Sequence, residues 1–184
     1  MQSIYDLNMK MATDMLAEKG QKSYRAKQLF QWLYRKRVGS FQEMTDMPAS
    51  LLEELAQEYS IEPVKEITRQ VAKDGTTKYL FQLADGSSVE TVLMHLHFGE
   101  SLCVTSQLGC NMGCTFCASG LLKKQRDLTA GEIVGQVMFV QKELDKIGKR
   151  VDNVVIMGTG EPFDNYDNVM RFCEIINSDL GLAI

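Results

Sequence analysis

At 184 residues and 45% hydrophobic content the chain can bury the core of one ordinary domain or two small ones, which excludes a disordered or fibrous class. Its net charge of −4 gives no global attraction to nucleic acid, so any such partner has to be held by a local basic patch. With neither a signal-like N-terminus nor an apolar run of about eighteen residues, no membrane is expected; the expected compartment is cytoplasmic and reducing, where five cysteines read as thiolates for metal or catalysis and not as disulfides.

Residues 1–62 read as a small helical accessory domain. Ser23 is placed to cap a segment whose Ala26, Leu29, Phe30 and Leu33 form one apolar stripe, with a stop near Gly39, and Pro48 opens a second amphipathic run through Leu51, Leu52 and Leu55. Between Lys19 and Arg37 lie seven cations and no acid, with Tyr24, Trp32 and Tyr34 interleaved. In an acidic chain this concentration suits RNA, phosphates on the basic face and aromatics free to stack; a solvated helix face with its aromatics in the core fits equally.

After Pro63 the period changes. Runs 64–72, 76–83 and 87–94 are β-rich and are separated by Asp74-Gly75 and Asp85-Gly86, two hairpin signals, so residues 63–98 are expected to form a three-stranded meander. Glu90 lies among apolar residues of the third run, where alternation points it at solvent or, alternatively, presents a general base to the cysteine stretch that follows. His95 and His97, the only histidines, are expected to share a strand face and have the chemistry of metal ligands.

Cys110, Cys114 and Cys117 form C-x3-C-x2-C. Three thiolates on one short loop can hold three corners of a cubane iron–sulfur cluster, leaving the fourth iron open to a small chelating molecule. Buried structural thiols, a zinc half-site or a Cys114–Cys117 redox pair are the other readings, although zinc lacks a second C-x2-C. Asn111, Gly113 and Thr115 suit a tight loop, and Phe116 is placed to shield a cluster.

Lys123, Lys124 and Arg126 follow as a second basic clutch, open to solvent or to a ligand. Thr129-Ala-Gly-Glu132 is a capping box opening a helix over 133–147, and 151–157 reads as a buried strand running into Gly158-Thr-Gly-Glu-Pro162, a glycine-rich turn ahead of a helix over 164–179. Strand–helix–strand–helix with chemistry at the strand ends is the start of a parallel α/β barrel, here over 99–184. The glycines allow close backbone approach to a ligand, and Glu161 can receive an ammonium group.

Leu102-Cys103-Val104, Cys110-Asn-Met-Gly-Cys114-Thr-Phe-Cys117, Leu128-Thr-Ala-Gly-Glu-Ile133 and Met157-Gly-Thr-Gly-Glu-Pro162 together resemble the RlmN/Cfr family of radical S-adenosylmethionine (SAM) RNA adenine methyltransferases, over essentially the whole chain. The resemblance implies an α/β protein: a helical N-terminal accessory domain, then the first units of a partial (β/α)6 barrel holding a 4Fe-4S cluster and SAM. It implies that Cys110, Cys114 and Cys117 hold the cluster, that Gly160 and Glu161 contact SAM, and that Glu90 is the proton acceptor. Cys103 matches one of two catalytic cysteines. The implied reaction is methylation of carbon 2 of an adenosine in 23S rRNA and of the adenosine beside the anticodon of tRNA. A cysteine takes the methyl group first; a second SAM, cleaved reductively at the cluster, activates it for addition to the ring, and a disulfide between that cysteine and Cys103 resolves the crosslink. A flavodoxin-like one-electron reductant and a monomeric full-length protein are further implications. The methyl-carrying cysteine has no counterpart here, since Cys173 reads as a buried core thiol, and the chain stops at Ile184 after two strand–helix units; it is expected to be an N-terminal fragment, inactive alone. Methylation at carbon 8, another radical SAM activity, or a non-catalytic iron–sulfur RNA-binding module are the alternatives.

Overall fold

The computed structural model describes residues 1–184. A two-residue strand β1 (Gln2–Ser3) precedes α1 (Met9–Glu18), whose start is closed by the Asn8 side chain accepting the Met11 N–H at 2.9 Å. α2 (Tyr24–Phe30) begins without the expected cap: Ser23 is itself helical and its hydroxyl bonds no helix N–H. This helix runs directly into six π-helical residues (Gln31–Lys36) and stops at Arg37, in the left-handed region at φ 54°, ahead of the Gly39 that its sequence singles out. The switch to π-helix turns Trp32, Leu33 and Tyr34 inward together, so all three are buried. α3 (Ala49–Glu58) starts after Pro48 and buries Leu51, Leu52 and Leu55 as its pattern dictates, and β2 (Tyr59–Ser60) pairs in parallel with β1.

Next come β3 (Val64–Val71), β4 (Thr77–Leu83) and β5 (Ser88–Leu96), antiparallel neighbours joined at the two Asp–Gly turns. At each turn the aspartate accepts an N–H two residues on, from Thr76 at 3.0 Å and from Ser87 at 2.9 Å, while Gly75 and Gly86 take φ of 87° and 85°. β6 (Gly99–Cys103) then pairs antiparallel with β5 and parallel with β9 (Val151–Val155), giving one mixed five-stranded sheet ordered β3-β4-β5-β6-β9. A two-stranded ladder, β7 (Gln107–Leu108) with β8 (Arg126–Asp127), closes the base of the cysteine loop. The crossover from β6 to β9 is α4 (Ala130–Asp145), and a 3-10 turn (Pro162–Asn165) leads from β9 into α5 (Tyr166–Asn177). This is the expected mixed α/β architecture, helical at its N-terminal end.

α4 covers one face of the sheet. Its Phe139 meets Phe81 edge-on at 4.8 Å and Tyr79 at 6.1 Å. A single cluster of 42 buried residues runs from Ile4 to Leu182, so the N-terminal helices and the sheet share one core. No helix is long and apolar enough to cross a membrane.

The start of α4 is fixed twice. Thr129 and Glu132 form the expected capping box, Glu132 N–H to Thr129 hydroxyl at 3.2 Å and Thr129 N–H to the Glu132 carboxylate at 2.9 Å. From the far end of the sequence, the buried Asp6 carboxylate accepts the Gly131 N–H at 2.6 Å, and a Cβ on Gly131 would lie 2.8 Å from Asp6 Cγ, so only glycine fits. Burial raises the Asp6 carboxyl above its ordinary range, an effect only partly offset by the Gly131 N–H and the Thr129 hydroxyl. A carboxyl raised on folding contributes stability that is full below its unfolded pKa and is lost as pH rises through the folded one. Asp6→Asn keeps an acceptor for Gly131 without the charge, so it should equal or exceed the parent in urea unfolding at neutral pH. Asp6→Ala should lose about 1–3 kcal/mol. Equal losses in both variants would show that the charge at the helix start, not the acceptor, is what stabilises.

Candidate active site

The face of the sheet away from α4 carries two of the candidate site residues, Cys103 and Glu90. Directly paired residues point the same way, and Cys103 pairs with Val92 across β5 and with Val155 across β9. Glu90, two residues from Val92 on the same strand, therefore shares this face with Cys103, while Val89, Thr91 and Leu93 alternate into the core beneath α4. Glu90 is solvent-facing, as alternation predicts, and its carboxylate lies 3.1 Å from Lys78 of β4. Cys103 is half-buried, and burial raises its thiol above the ordinary range.

Thr105 ties these pieces together. Its hydroxyl donates to the Glu90 carbonyl at 2.7 Å and accepts the Thr159 N–H at 3.2 Å. It thereby links β5 to the glycine-rich turn beyond β9. Its backbone is held from the other side by the fully buried amide of Gln136 on α4: Thr105 N–H to Oε1 at 2.9 Å, Nε2 to the Thr105 carbonyl at 3.0 Å, with the Thr91 hydroxyl also on Oε1 at 2.7 Å. Gln107 does the same for the next stretch, accepting the Glu161 N–H at 2.8 Å and donating to Asp127 at 2.7 Å and Asp164 at 3.1 Å. Neither glutamine stands out in the sequence; only the pairing of unsatisfied strand-end backbone with a helix amide reveals them.

The turn 158–162 is built by close approach. A Cβ on Gly158 would lie 2.6 Å from the Thr105 hydroxyl and one on Gly160, at φ 114°, 2.6 Å from Gln107 Cβ, so both positions exclude a side chain. The Glu161 carboxylate accepts the Phe163 N–H at 3.0 Å through Oε1, which leaves Oε2 for an ammonium donor. Glu90, Thr105, Gln107, Gly109 and Thr159 line a cleft of about 370 Å³ between the turn and the cysteine loop.

The cysteine loop is closed where Cys110 N–H donates to the Leu122 carbonyl at 2.8 Å, and a Cβ on Gly109 would lie 2.3 Å from the Lys123 carbonyl oxygen. Cys110 is buried, with its sulfur accepting the Met112 N–H at 3.4 Å; Cys114 and Cys117 are exposed. The Ser119 hydroxyl, and then its N–H, hold the Cys117 thiol below its ordinary range. Phe116 and Leu121, 91% and 86% exposed, rim the thiols with apolar surface that nothing in the chain covers. Amide N–H to sulfur contact, exposed thiols and an apolar rim fit a cluster of iron and sulfide. No three His, Cys, Asp or Glu side chains converge as the ligands of one ion do, whereas a cubane takes each thiolate at a different iron.

The histidines lie elsewhere. His95 pairs with Glu100 at the far end of β5 and β6, and His97 falls beyond β5, stacked edge-on to Phe98, so they share no strand face. The basic stretch is also drawn inward: Trp32 and Tyr34 are core, Lys19 pairs with Glu58 at 2.6 Å and Arg37 with Asp145 at 3.2 Å. Only Tyr24 of the three aromatics is exposed, with Arg25 5.0 Å over its ring. Lys124 and Arg126 of the second clutch are likewise engaged, by Asp164 at 2.7 Å and by Asp85 and Glu132 at 2.7 and 2.8 Å. Cys173, on α5, is half-buried against the core.

Residues 2–61 match the ribosomal RNA large subunit methyltransferase N-terminal domain and residues 104–184 the radical SAM superfamily. The chain is 56% identical over 99% of its length to a probable dual-specificity RNA methyltransferase RlmN of Streptococcus suis, covering 50% of that protein, and 56% identical to one of Enterococcus faecalis, covering 52%. It therefore spans about half the length of the curated relatives it matches. A crystal structure of a radical SAM methyltransferase from Sphaerobacter thermophilus superposes with a TM-score of 0.92 at 37% identity, over the whole chain and 54% of that protein.

Gln136→Leu strands Thr91, the Thr105 N–H and the Thr105 carbonyl together and should cost about 2–4 kcal/mol in urea unfolding, whereas Thr91→Val, which removes one donor, should cost about 1 kcal/mol. Equal costs would mean that the amide is not the shared node.

Proposed function

We propose, from the premise that the chain belongs to the RlmN-type radical SAM family, that it carries the cluster-binding and SAM-binding part of an RNA methyltransferase acting on carbon 2 of an adenosine in 23S rRNA and in tRNA. The observation that supports this reading is the Thr105 hydroxyl bridging the Glu90 carbonyl and the Thr159 N–H, which ties the strand of Glu90 to the glycine-rich turn at a cleft that Glu90, Thr105 and Thr159 line, with Cys103 two residues before Thr105.

In this reading Cys110, Cys114 and Cys117 hold the 4Fe-4S cluster. When bound, the cluster and SAM supply one-electron chemistry that activates an otherwise inert methyl group. This chain's own groups then have separate tasks. The Gly160 backbone lets SAM approach, and Glu161 Oε2 receives its ammonium. Glu90, whose carboxylate lies 3.1 Å from Lys78, accepts the proton that leaves the adenine carbon. Cys103, having given up its proton, attacks as a thiolate the sulfur of the methyl-carrying cysteine; the S–S bond forms as the carbon–sulfur bond of the crosslink breaks, and the released carbon keeps that electron pair and takes up a proton. The apolar rim of Phe116, Leu121 and Leu122 is the docking face for a flavodoxin-like one-electron donor, and residues 1–62 contribute RNA contacts through Tyr24, Arg25 and the unpaired Lys22 and Lys27. The full-length protein works as a monomer.

Anaerobic reconstitution should give about four irons per chain, and any one of Cys110→Ala, Cys114→Ala or Cys117→Ala should abolish this, while Cys173→Ala leaves it unchanged. Equal loss at Cys173 overturns the ligand assignment.

The five thiols of the chain comprise three ligands, Cys103, and a Cys173 half-buried on α5, so none is placed to carry a methyl group. Assayed with SAM, reductant and 23S rRNA, the chain alone should form no methyladenosine. Joined to the remaining half found in its relatives it should form 2-methyladenosine, in a reaction lost in Cys103→Ala. Product from the chain alone, or 8-methyladenosine, refutes the mechanism as assigned.

A further inference from the structure

Lys124 lies on the outgoing leg of the cysteine loop, and its two ends do different things. Its N–H donates to the Asn111 side chain at 3.3 Å, one residue after Cys110, so its backbone belongs to the neck of the loop. Its side chain, 18% exposed, leaves that neck. The ammonium donates to Asp164 Oδ2 at 2.7 Å, 40 positions away and beyond α4 in the sequence, and pairs with Asp127 Oδ1 at 3.0 Å. Asp164 in turn belongs to the turn of Glu161, since its N–H donates to the Glu161 carbonyl at 3.0 Å.

The same two carboxylate oxygens, Asp127 Oδ1 and Asp164 Oδ2, also accept from Gln107 Nε2 at 2.7 and 3.1 Å, while Gln107 Oε1 accepts the Glu161 N–H at 2.8 Å. Lys124 Nζ and Gln107 Nε2 therefore close a ring with two anionic oxygens, and only one of the two donors is charged. The Lys124 ammonium, with the Gln107 amide after it, holds the Asp164 carboxyl below its ordinary range. Without that ammonium, two aspartates sharing one neutral donor repel each other across it. The one held less firmly is Asp164, in a short 3-10 turn, because Asp127 is paired in the β7 and β8 ladder. Displacement of Asp164 carries the Glu161 backbone with it.

We propose that Lys124 is a positioning residue for the SAM site: by pairing with Asp164 it fastens the neck of the cysteine loop to the Glu161 turn, so that the carboxylate meant for the ammonium of SAM keeps its place relative to the cluster thiolates. The proposal rests on the function proposed above and adds to it a residue that acts through the turn and not on the ligand. Asp127 lies three residues from Lys124 on the same leg, so only the Asp164 half of the pairing joins the two segments.

The test uses the reconstituted chain, with SAM affinity read by calorimetric titration and iron by chemical analysis, and the cluster-free chain, with backbone exchange read by hydrogen–deuterium mass spectrometry. Lys124→Met should keep about four irons per chain and weaken SAM about three- to fivefold, the scale of a partly exposed ion pair. Lys124→Arg, which keeps the charge, should recover most of that loss, and Lys123→Met, at the exposed neighbouring position, should lose nothing. Asp164→Asn should weaken SAM as Lys124→Met does, with the double variant no weaker than either single one, because both remove the same pair. Asp127→Asn should cost less. In the cluster-free chain Lys124→Met should speed exchange in residues 122–125 and 161–165 together, while the five-stranded sheet keeps its protection. Unchanged SAM affinity or lost iron in Lys124→Met, additive losses in the double variant, or faster exchange confined to 122–125 overturns the proposal and leaves the proposed function standing. A parent chain that takes up iron but binds no SAM overturns both.

Discussion

The site depends on the side-chain amide of Gln136. Where β6 ends, Thr105 leaves the ladder and its N–H and carbonyl lose strand partners in a buried place, a loss of about 1–3 kcal/mol for each group left unpaired. One glutamine on α4 satisfies both and takes the Thr91 hydroxyl besides. The rotation of α4 about its axis therefore sets where Thr105 sits, and with it Cys103 two residues before and Gln107 two residues after. That rotation is in turn fixed by the capping box, by Asp6 on the Gly131 N–H and by Pro63 against Gly135. Residues separated by more than a hundred positions thus act on one dihedral path.

A second consequence follows from the sheet being mixed. A parallel barrel strand alone would bring β6 and β9 side by side, but Glu90 belongs to a meander that precedes the barrel. Antiparallel pairing of β5 with β6 is what carries Glu90 onto the sheet face that holds Cys103. The same pairing sends Thr91 to the opposite face, where it meets Gln136. Alternation in β5 therefore divides neighbouring residues between the open face of the sheet and the core beneath α4, and a slip of one position would exchange them.

Much of this was legible beforehand for identifiable reasons. The Asp–Gly turns, the Thr129 to Glu132 box and the Leu51, Leu52 and Leu55 stripe are local signals, each satisfied by atoms within a few residues. What failed locally failed because tertiary packing took over. Ser23 looks like a cap but continues a helix, Arg37 terminates that helix where Gly39 was expected, and the π-helical turn moves Trp32 and Tyr34 into the core although the cations around them suggest an RNA-facing surface. The buried glutamines could not be read at all, because a Gln in a helix pattern is ordinary until the backbone it satisfies is known. Sequence spacing picks out the cysteine loop and the glycine turn, but not the amides that hold Thr105 and the turn in place.

The two halves of the site are held with different stiffness. Cys103 and Glu90 sit on strands, and Gly160 is packed against Gln107, so their relative positions are fixed by ladder bonds and buried amides that involve no cofactor. The cysteine loop is fixed only at its neck, by Cys110 to Leu122 and by the β7 and β8 pair, with Cys114, Phe116 and Cys117 exposed beyond it. A cluster bound there would order the loop against a frame that already exists, because the free energy of metal–thiolate bonding would fall on a segment held only at its neck. The frame fixes where the cleft is, and the loop adapts to what fills it.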